Sequence, residues 1–220
     1  MMNKILDTCD TALEDIKDGA TIMISGFGRA GLPLRLIDAL VEQGARDLTI
    51  ISNNSGSDDS GFGELIRQKR VRKLICSFPR LPGATLFDAA YRAGEVELEV
   101  VPQGNLAERM RAAGAGIGGF YTPTAYGTRL AEGKESRKIG DKNYVFELPL
   151  KADFALVKAY HADRWGNLTY RMSGRNFGPV MASAATTTIV QVSEIVPLGT
   201  LNPETVVTPG IYVQRVVRVS

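Results

Sequence analysis

Thr21-Ile22-Met23-Ile24-Ser25-Gly26-Phe27-Gly28-Arg29-Ala30-Gly31-Leu32-Pro33 is a buried-strand pattern running into a glycine-rich turn and then a proline. Glycines at 26, 28 and 31 let backbone N–H groups turn into one concavity, and Pro33 has the fixed φ suited to a first helical turn. Strand, loop and helix start make a place for a phosphate or pyrophosphate. Donors of the loop and of the helix N-terminus carry partial positive charge, so no lysine is needed. The spacing also fits G-x-G-x-x-G, which recurs in tight turns that hold no ligand. About twenty residues on, where a dinucleotide dehydrogenase ends its second strand with a ribose-binding acid, this chain has Ser52-Asn53-Asn54. Nor does Gly-Lys-Ser/Thr follow at the spacing of a nucleoside-triphosphate loop.

The chain continues as strands and helices in alternation. Cys9, Ala12, Leu13 and Ile16 lie at helical spacing within Thr8 to Lys17, and Gly19 ends that helix. After the loop, Leu34, Ile37, Leu40 and Val41 predict a helix up to Gly44, and Asp47 to Ser52 is a compact β-branched run. The same reading predicts a helix at Phe62 to Gln68, a strand at Val71 to Cys76, a helix at Thr85 to Ala93, a strand at Val96 to Val101 and a helix at Ala107 to Ala113. Alternation of this kind predicts an α/β fold, a mainly parallel sheet with helices on both faces, as one domain over residues 1–220. Ser25, Ser52, Ser77 and Pro102 fall at strand ends, so the segments after them are expected on one face, where such sheets bind ligands. Gly114 to Thr128, with five glycines and one proline, reads as a long irregular loop of the kind that is often functional. Strands are expected at Tyr144 to Leu148, Phe154 to Lys158 and Thr188 to Val192, with a helical stretch at Pro179 to Ala185. A final edge strand with one wet face is expected at Ile211 to Val219.

These motifs resemble the small (A) subunit of the family I CoA-transferases. That family's first signature is an acid or Asn, a Gly, two free positions, three apolar residues, Gly-Gly-Phe, three free positions and Gly-x-Pro. Here it is met by Asp18-Gly19, Ile22-Met23-Ile24, Gly26-Phe27, Gly31 and Pro33, with Ser25 in place of the first glycine of Gly-Gly-Phe. The likeness continues through Ser52-Asn53-Asn54, Val101 to Arg109, Gly116 to Pro123, Gly166 to Tyr170 and Thr208-Pro209-Gly210, nearly the whole chain.

In that family the large (B) subunit carries Ser-Glu-Asn-Gly, whose Glu is the nucleophile. Ser52-Asn53-Asn54 looks like its counterpart, with Asn53 in place of Glu. An amide cannot attack a thioester as a carboxylate can. The resemblance therefore implies no catalytic residue in this chain, a nucleophile supplied by a B subunit, and a heterodimer or heterotetramer. It also implies a thioester pocket around Asn53, Asn54 and Gln103, whose N–H groups orient or stabilise the thioester oxygen. The loop Ser25, Gly26, Phe27, Gly28, Arg29, Ala30 and Gly31 is expected to contact an anionic part of CoA through its backbone. CoA moves from succinyl-CoA to a 3-oxoacid, 3-oxoadipate first and acetoacetate or acetate as the alternative, by a ping-pong route through glutamyl-CoA. CoA thioester is then a substrate, and no tightly bound cofactor is expected.

Composition agrees with a soluble enzyme subunit. The 220 residues are 44% hydrophobic and 23% charged, and no apolar run approaches the ~20 residues of a membrane span. Met1 to Asp18 lacks the pattern of a signal peptide, and Cys9 and Cys76 are far apart in sequence, so a reducing cytoplasm is expected. A net charge of +2 with dispersed basic residues gives no reason to expect nucleic acid. The one basic run, Arg67 to Lys73, reads as a solvated helix end leading into the next strand.

His161 is the sole histidine, no H-E-x-x-H or acidic cluster is present, and no serine sits in G-x-S-x-G, so neither a metal site nor a self-contained hydrolase is expected. Taken without the family, Asn53 and Asn54 can equally serve turn backbone. Arg29 and Arg80 follow strand ends; each is either a surface arginine or a fork for a carboxylate, and Arg80 is placed with Asn53, Asn54 and Gln103 in the substrate pocket, as the fork for the distal carboxylate of 3-oxoadipate. Asp163 to Asn167 reads as a turn, with Trp165 as packing or contact. Outside the family, a sugar-phosphate-binding or isomerase-like protein and a non-catalytic CoA-binding module use the same glycine loop; the former needs an acid-base pair that does not stand out here.

Overall fold

Apolar runs between the turn glycines become the strands of one large sheet. The computed structural model describes residues 2–82 and 85–219. In chain order these form β1 (Ile5–Leu6), α1 (Cys9–Leu13), β2 (Thr21–Ile24), α2 (Leu34–Gln43), β3 (Leu48–Ile51), α3 (Gly61–Arg67), β4 (Val71–Cys76), α4 (Thr85–Arg92), β5 (Glu97–Val100) and α5 (Gln103–Gly114). There follow β6 (Phe120–Thr122), β7 (Ser136–Ile139), β8 (Lys142–Glu147), β9 (Ala152–Lys158), β10 (His161–Ala162), β11 (Leu168–Thr169), α6 (Gly178–Ala184), β12 (Ala185–Val192), β13 (Glu194–Ile195) and β14 (Arg215–Arg218).

The sheet has eight strands in the order β1-β14-β12-β9-β2-β3-β4-β5, every pairing parallel. Alternate residues of each strand face opposite layers. Ile22 and Ile24 of β2 join the core under α1 to α4, while Met23 joins a second core under α5 and α6. A strand with both faces covered has no wet side, which is why β2 and β3 read as continuous apolar runs rather than as alternation. The strand order reverses between β2 and β9, so the carboxyl ends of those two strands flank a switch point.

Four expectations are corrected. The last strand is shorter than Ile211 to Val219 and is not an edge: Gly210–Tyr212 form a 3-10 turn, and β1 covers the outer side of β14 through Val216 N–H donating to Lys4 O at 2.8 Å. The stretch from Gly114 to Thr128 is not wholly irregular, since β6 pairs with β8, and β8 with β7, in an antiparallel sheet of three strands. Leu34, expected on the buried face of its helix, is exposed at the first turn of α2. The basic run is not a solvated helix end throughout. Arg70 is 1% exposed and donates to Ala45 O, Val41 O and Leu40 O at 2.6, 2.5 and 2.7 Å. Those carbonyls belong to the end of α2 and the turn after it, groups that a helix leaves without internal partners. No described helix is long and apolar enough to cross a membrane.

Candidate active site

Because the large sheet is parallel throughout, the segments after β2, β3, β4 and β5 emerge on one edge, as the strand-end residues predicted. Asn53 is 4% exposed and lies at the centre of that edge. Its backbone carbonyl accepts from Phe78 N–H at 3.0 Å and from the Ser77 hydroxyl at 3.1 Å, which joins the turns after β3 and β4. The side-chain oxygen accepts twice more, from Ser77 Oγ at 2.9 Å and Gln103 Nε2 at 2.8 Å. Two donors converging on one atom identify it as the oxygen of the amide. Nδ2 is therefore the polar atom that Asn53 has to offer a ligand, and it has no hydrogen-bond partner among the described residues.

α5 begins four residues earlier than periodicity predicted, at Gln103, immediately after its N-cap Pro102. That early start carries the Gln103 amide to Asn53. Asn54 behaves differently: its Oδ1 accepts from Gly56 N–H at 3.0 Å, the turn-satisfying role open to any Asn at a strand end. Asn53, Asn54 and Gln103 together line an open cavity of about 450 Å³, whose other walls are Phe27, Gly28, Ser77, Phe78 and Leu81. No charged residue lines it among those described.

The glycine loop bounds this cavity as a two-residue hairpin. Phe27 N–H donates to Ala30 O at 2.9 Å and Ala30 N–H to Phe27 O at 3.1 Å, with Gly28 at φ +59 on the first central position, where a tight hairpin requires a left-handed residue. Gly31, at φ +75, has another reason to be glycine: a Cβ there would fall 2.5 Å from Gly174 O. Ser25, the departure from the family signature, is fully buried; its hydroxyl donates to Gly31 O at 2.9 Å and accepts from Lys158 N–H at 3.2 Å. The hydroxyl thus ties the loop to the end of β9.

Much of the expected anion-binding capacity of this loop is spent internally. Gly26 N–H donates to Asn176 Oδ1, Leu34 N–H to Leu32 O and Leu36 N–H to Gln191 Oε1. The N–H groups of Gly28, Arg29 and Gly31 remain without protein acceptors among the described residues, so the donors left to a ligand sit at the hairpin tip and base. Arg29 is exposed, with an ion pair to Asp59 at 3.7 Å, and Arg80 lies beside Asp88 of α4 at 3.9 Å. Arg80 is not part of the wall of the Asn53 cavity. Ser77 and Asn176 are the residues sequence reasoning passed over. Ser77 carried the signal of its strand-end position, whereas Asn176 had none.

The profile of the Coenzyme A transferase family matches residues 6–219, and the chain belongs to that family. It is 60% identical over 220 residues to the A subunit of 3-oxoadipate CoA-transferase from Pseudomonas putida, covering all of this chain and 95% of that one. With the A subunit of succinyl-CoA:3-ketoacid coenzyme A transferase from Helicobacter pylori strain J99 it shares 45% over 215 residues, 98% and 92% of the two chains. Its fold superposes with TM-score 0.85, at 23% identity, on an acyl-CoA transferase of E. coli O157:H7 crystallised as a thioester complex with CoA, covering this chain fully and 50% of that one. The chain is accordingly one subunit of a CoA-transferase.

Proposed function

We propose that this subunit serves a transferase that moves CoA from succinyl-CoA to a 3-oxoacid, 3-oxoadipate in the first place, with the nucleophilic glutamate on a partner B subunit. The observation that supports this most is the uncharged cavity: Asn53 presents an amide N–H₂ and no carboxylate where the family's large subunit has Glu. The two relatives named above are each the A subunit of their enzyme, and the E. coli chain is twice as long as the region matched, which fits two units of this size working together.

In this reading the partner's carboxylate attacks the thioester carbonyl and expels CoA thiolate, leaving an acyl-glutamyl anhydride. The thiolate then attacks the glutamyl carbonyl and releases succinate, giving glutamyl-CoA. The acceptor carboxylate repeats the two steps in reverse, and CoA leaves on the acceptor. Asn53 Nδ2 donates to the oxygen that gains charge in each addition, held in place by Ser77 and Gln103. The hairpin tip at Gly28 and Arg29 offers its N–H groups to an anionic part of CoA. Since Arg80 is 81% exposed, 3.9 Å from Asp88 and outside the wall of the Asn53 cavity, the choice of 3-oxoadipate over acetoacetate rests on the 60% relative rather than on that arginine.

Incubating the assembled pair with succinyl-CoA and no acceptor, then reducing with borohydride, should leave one glutamate as an alcohol, found by mass spectrometry on the partner chain. A reduced glutamate in this chain, or turnover by this chain alone, overturns the reading.

A further inference from the structure

On the far side of the glycine hairpin from Asn53, a second cavity of about 370 Å³ opens between the ends of β2 and β9, at the switch point of the sheet. Ligands of open parallel sheets bind in this crevice. Its walls carry Arg29, Lys158 and Arg171 and no carboxylate among the described residues. Lys158 and Arg171, like other exposed cations such as Arg35 and Lys142, have no acid within 4.0 Å among the described residues; what sets them apart is that both line one cavity whose wall holds no carboxylate. Arg171 is instead held over the ring of Tyr160 at 5.7 Å, a contact that orients a guanidinium without neutralising it.

The wall is rigidly made. Asn176 Nδ2 donates to Ala30 O at 2.9 Å and its Oδ1 accepts from Gly26 N–H at 3.1 Å, so the turn after Arg171 is bolted to the hairpin. Within that turn Met172 holds φ +50, a conformation that non-glycine residues adopt rarely, with its side chain 86% exposed.

We propose that this crevice is an oxyanion subsite, in which Lys158 and Arg171, with Arg29 at the rim, hold a carboxylate or phosphate group belonging to a substrate of the transferase. The inference rests on the CoA-transferase reading above and goes beyond it by naming the cations that select the substrate. Two groups fit the chemistry: the distal carboxylate of a dicarboxylic acid or its thioester, and a phosphate of CoA.

Four KM values of the assembled pair separate them, measured for Lys158→Gln and Arg171→Gln with succinyl-CoA, acetoacetyl-CoA, 3-oxoadipate and acetoacetate. Loss of one charge-assisted hydrogen bond should raise KM about ten- to hundredfold for the substrates that use the subsite. A carboxylate subsite raises it for succinyl-CoA and 3-oxoadipate and spares the two acetoacetyl compounds; a phosphate subsite raises it for both thioesters and spares both free acids. Lys158→Arg should recover most of either loss, and Arg171→Lys, which keeps the charge but not the stacked fork, part of it. Values within twofold of wild type for all four substrates, or a loss that the charge-keeping variants do not recover, overturn the subsite. Melting of the purified chain with adipate and with inorganic pyrophosphate reads the same crevice without turnover. At least one probe should raise Tm, and the double variant Lys158→Gln/Arg171→Gln should abolish the rise. If neither probe shifts Tm the subsite falls, whereas absence of turnover in the wild-type pair counts against the transferase reading alone.

Discussion

Replacing Asn53 with Asp changes one atom's chemistry and almost nothing of its shape. The oxygen that accepts from Ser77 Oγ and Gln103 Nε2 is preserved, so both bonds, at 2.9 and 2.8 Å, survive. The other position turns from a donor of two hydrogens into a negatively charged acceptor. A carboxylate 4% exposed, with two neutral donors on one oxygen and no cation beside it, is costly to desolvate, and stability near neutral pH should fall by about 1–3 kcal/mol, with Tm lower by roughly 2–4 °C for each kcal/mol in a chain of this length. Activity is another matter. Losing a donor aimed at a developing oxyanion costs about 10²–10³-fold in kcat, and repulsion between the new carboxylate and a partner glutamate adds to it. Asn53→Ala should fall less far, because it removes the donor without adding charge. Lowering the pH protonates the introduced Asp and returns a donor, so the deficit of Asn53→Asp relative to wild type should narrow as pH falls. The measurements are melting of the chain and turnover of the assembled pair with succinyl-CoA and 3-oxoadipate. A variant that folds normally and keeps kcat within about threefold of wild type refutes the role assigned to Nδ2.

Three further changes test how the site is supported. Arg70→Met strips three carbonyls near the end of α2 of their charged donor and should cost about 3 kcal/mol or more, a fall of roughly 6–12 °C in Tm, with little effect on KM; a Tm within 2 °C or so of wild type refutes the capping role. Gly31→Ala puts a methyl 2.5 Å from Gly174 O, whereas Gly28→Ala, at a similar left-handed φ, meets nothing within 4 Å. The first should lower Tm markedly more than the second, and equal losses refute the packing argument. Asp15 takes a bidentate pair of hydrogen bonds from Arg215, both at 2.6 Å, which holds its carboxyl below the usual range. A depressed folded pKa contributes stability above the unfolded value of about 3.9 and loses it as pH falls through the folded value. The Tm gap between wild type and Asp15→Asn should therefore be open at pH 6 and close as the pH drops below 4 or so; a constant gap refutes the linkage.

What could be read in advance follows from how far each signal reaches along the chain. β2 to β5 and their helices were legible because a strand buried on both faces needs an unbroken apolar run, and Val71 to Cys76 emerges with the predicted bounds. β7, with all four residues exposed, has no apolar face to show a period, and β1 is two residues long; neither leaves a pattern. Arg70 was misread for a related reason. Its three acceptors lie at residues 40 to 45, and a lone arginine among basic neighbours gives no sign that distant carbonyls await it. The site was half legible: Asn53 and Gln103 were expected together through the family likeness, but the hydroxyl that orients them belongs to Ser77, which reads as any strand-end serine. The cationic crevice was not legible, since Lys158 and Arg171 are thirteen residues apart in sequence and meet only across the turns after β9 and β11.

The hairpin has an uncharged cavity at Asn53 on one side and a cationic one at Lys158 and Arg171 on the other, and the roles proposed for the two account for the difference. A carboxylate that has to attack a carbonyl is dulled by a cation beside it, because the charge it must donate is already stabilised; a carboxylate next to an acid is pushed toward its protonated, inert form. An amide avoids both penalties while still offering a hydrogen to the oxyanion, and Asn53 is such an amide. An anion that needs only to be held gains from cations, and Arg171 and Lys158 lie on the far side of the loop. The wall between them, Phe27 to Ala30, is two residues wide at its tip and pinned by Ser25 and Asn176. On this argument, moving a positive charge across that wall, as in Leu81→Lys, should lower kcat rather than raise affinity, and a gain in kcat from such a variant contradicts the need for a neutral compartment.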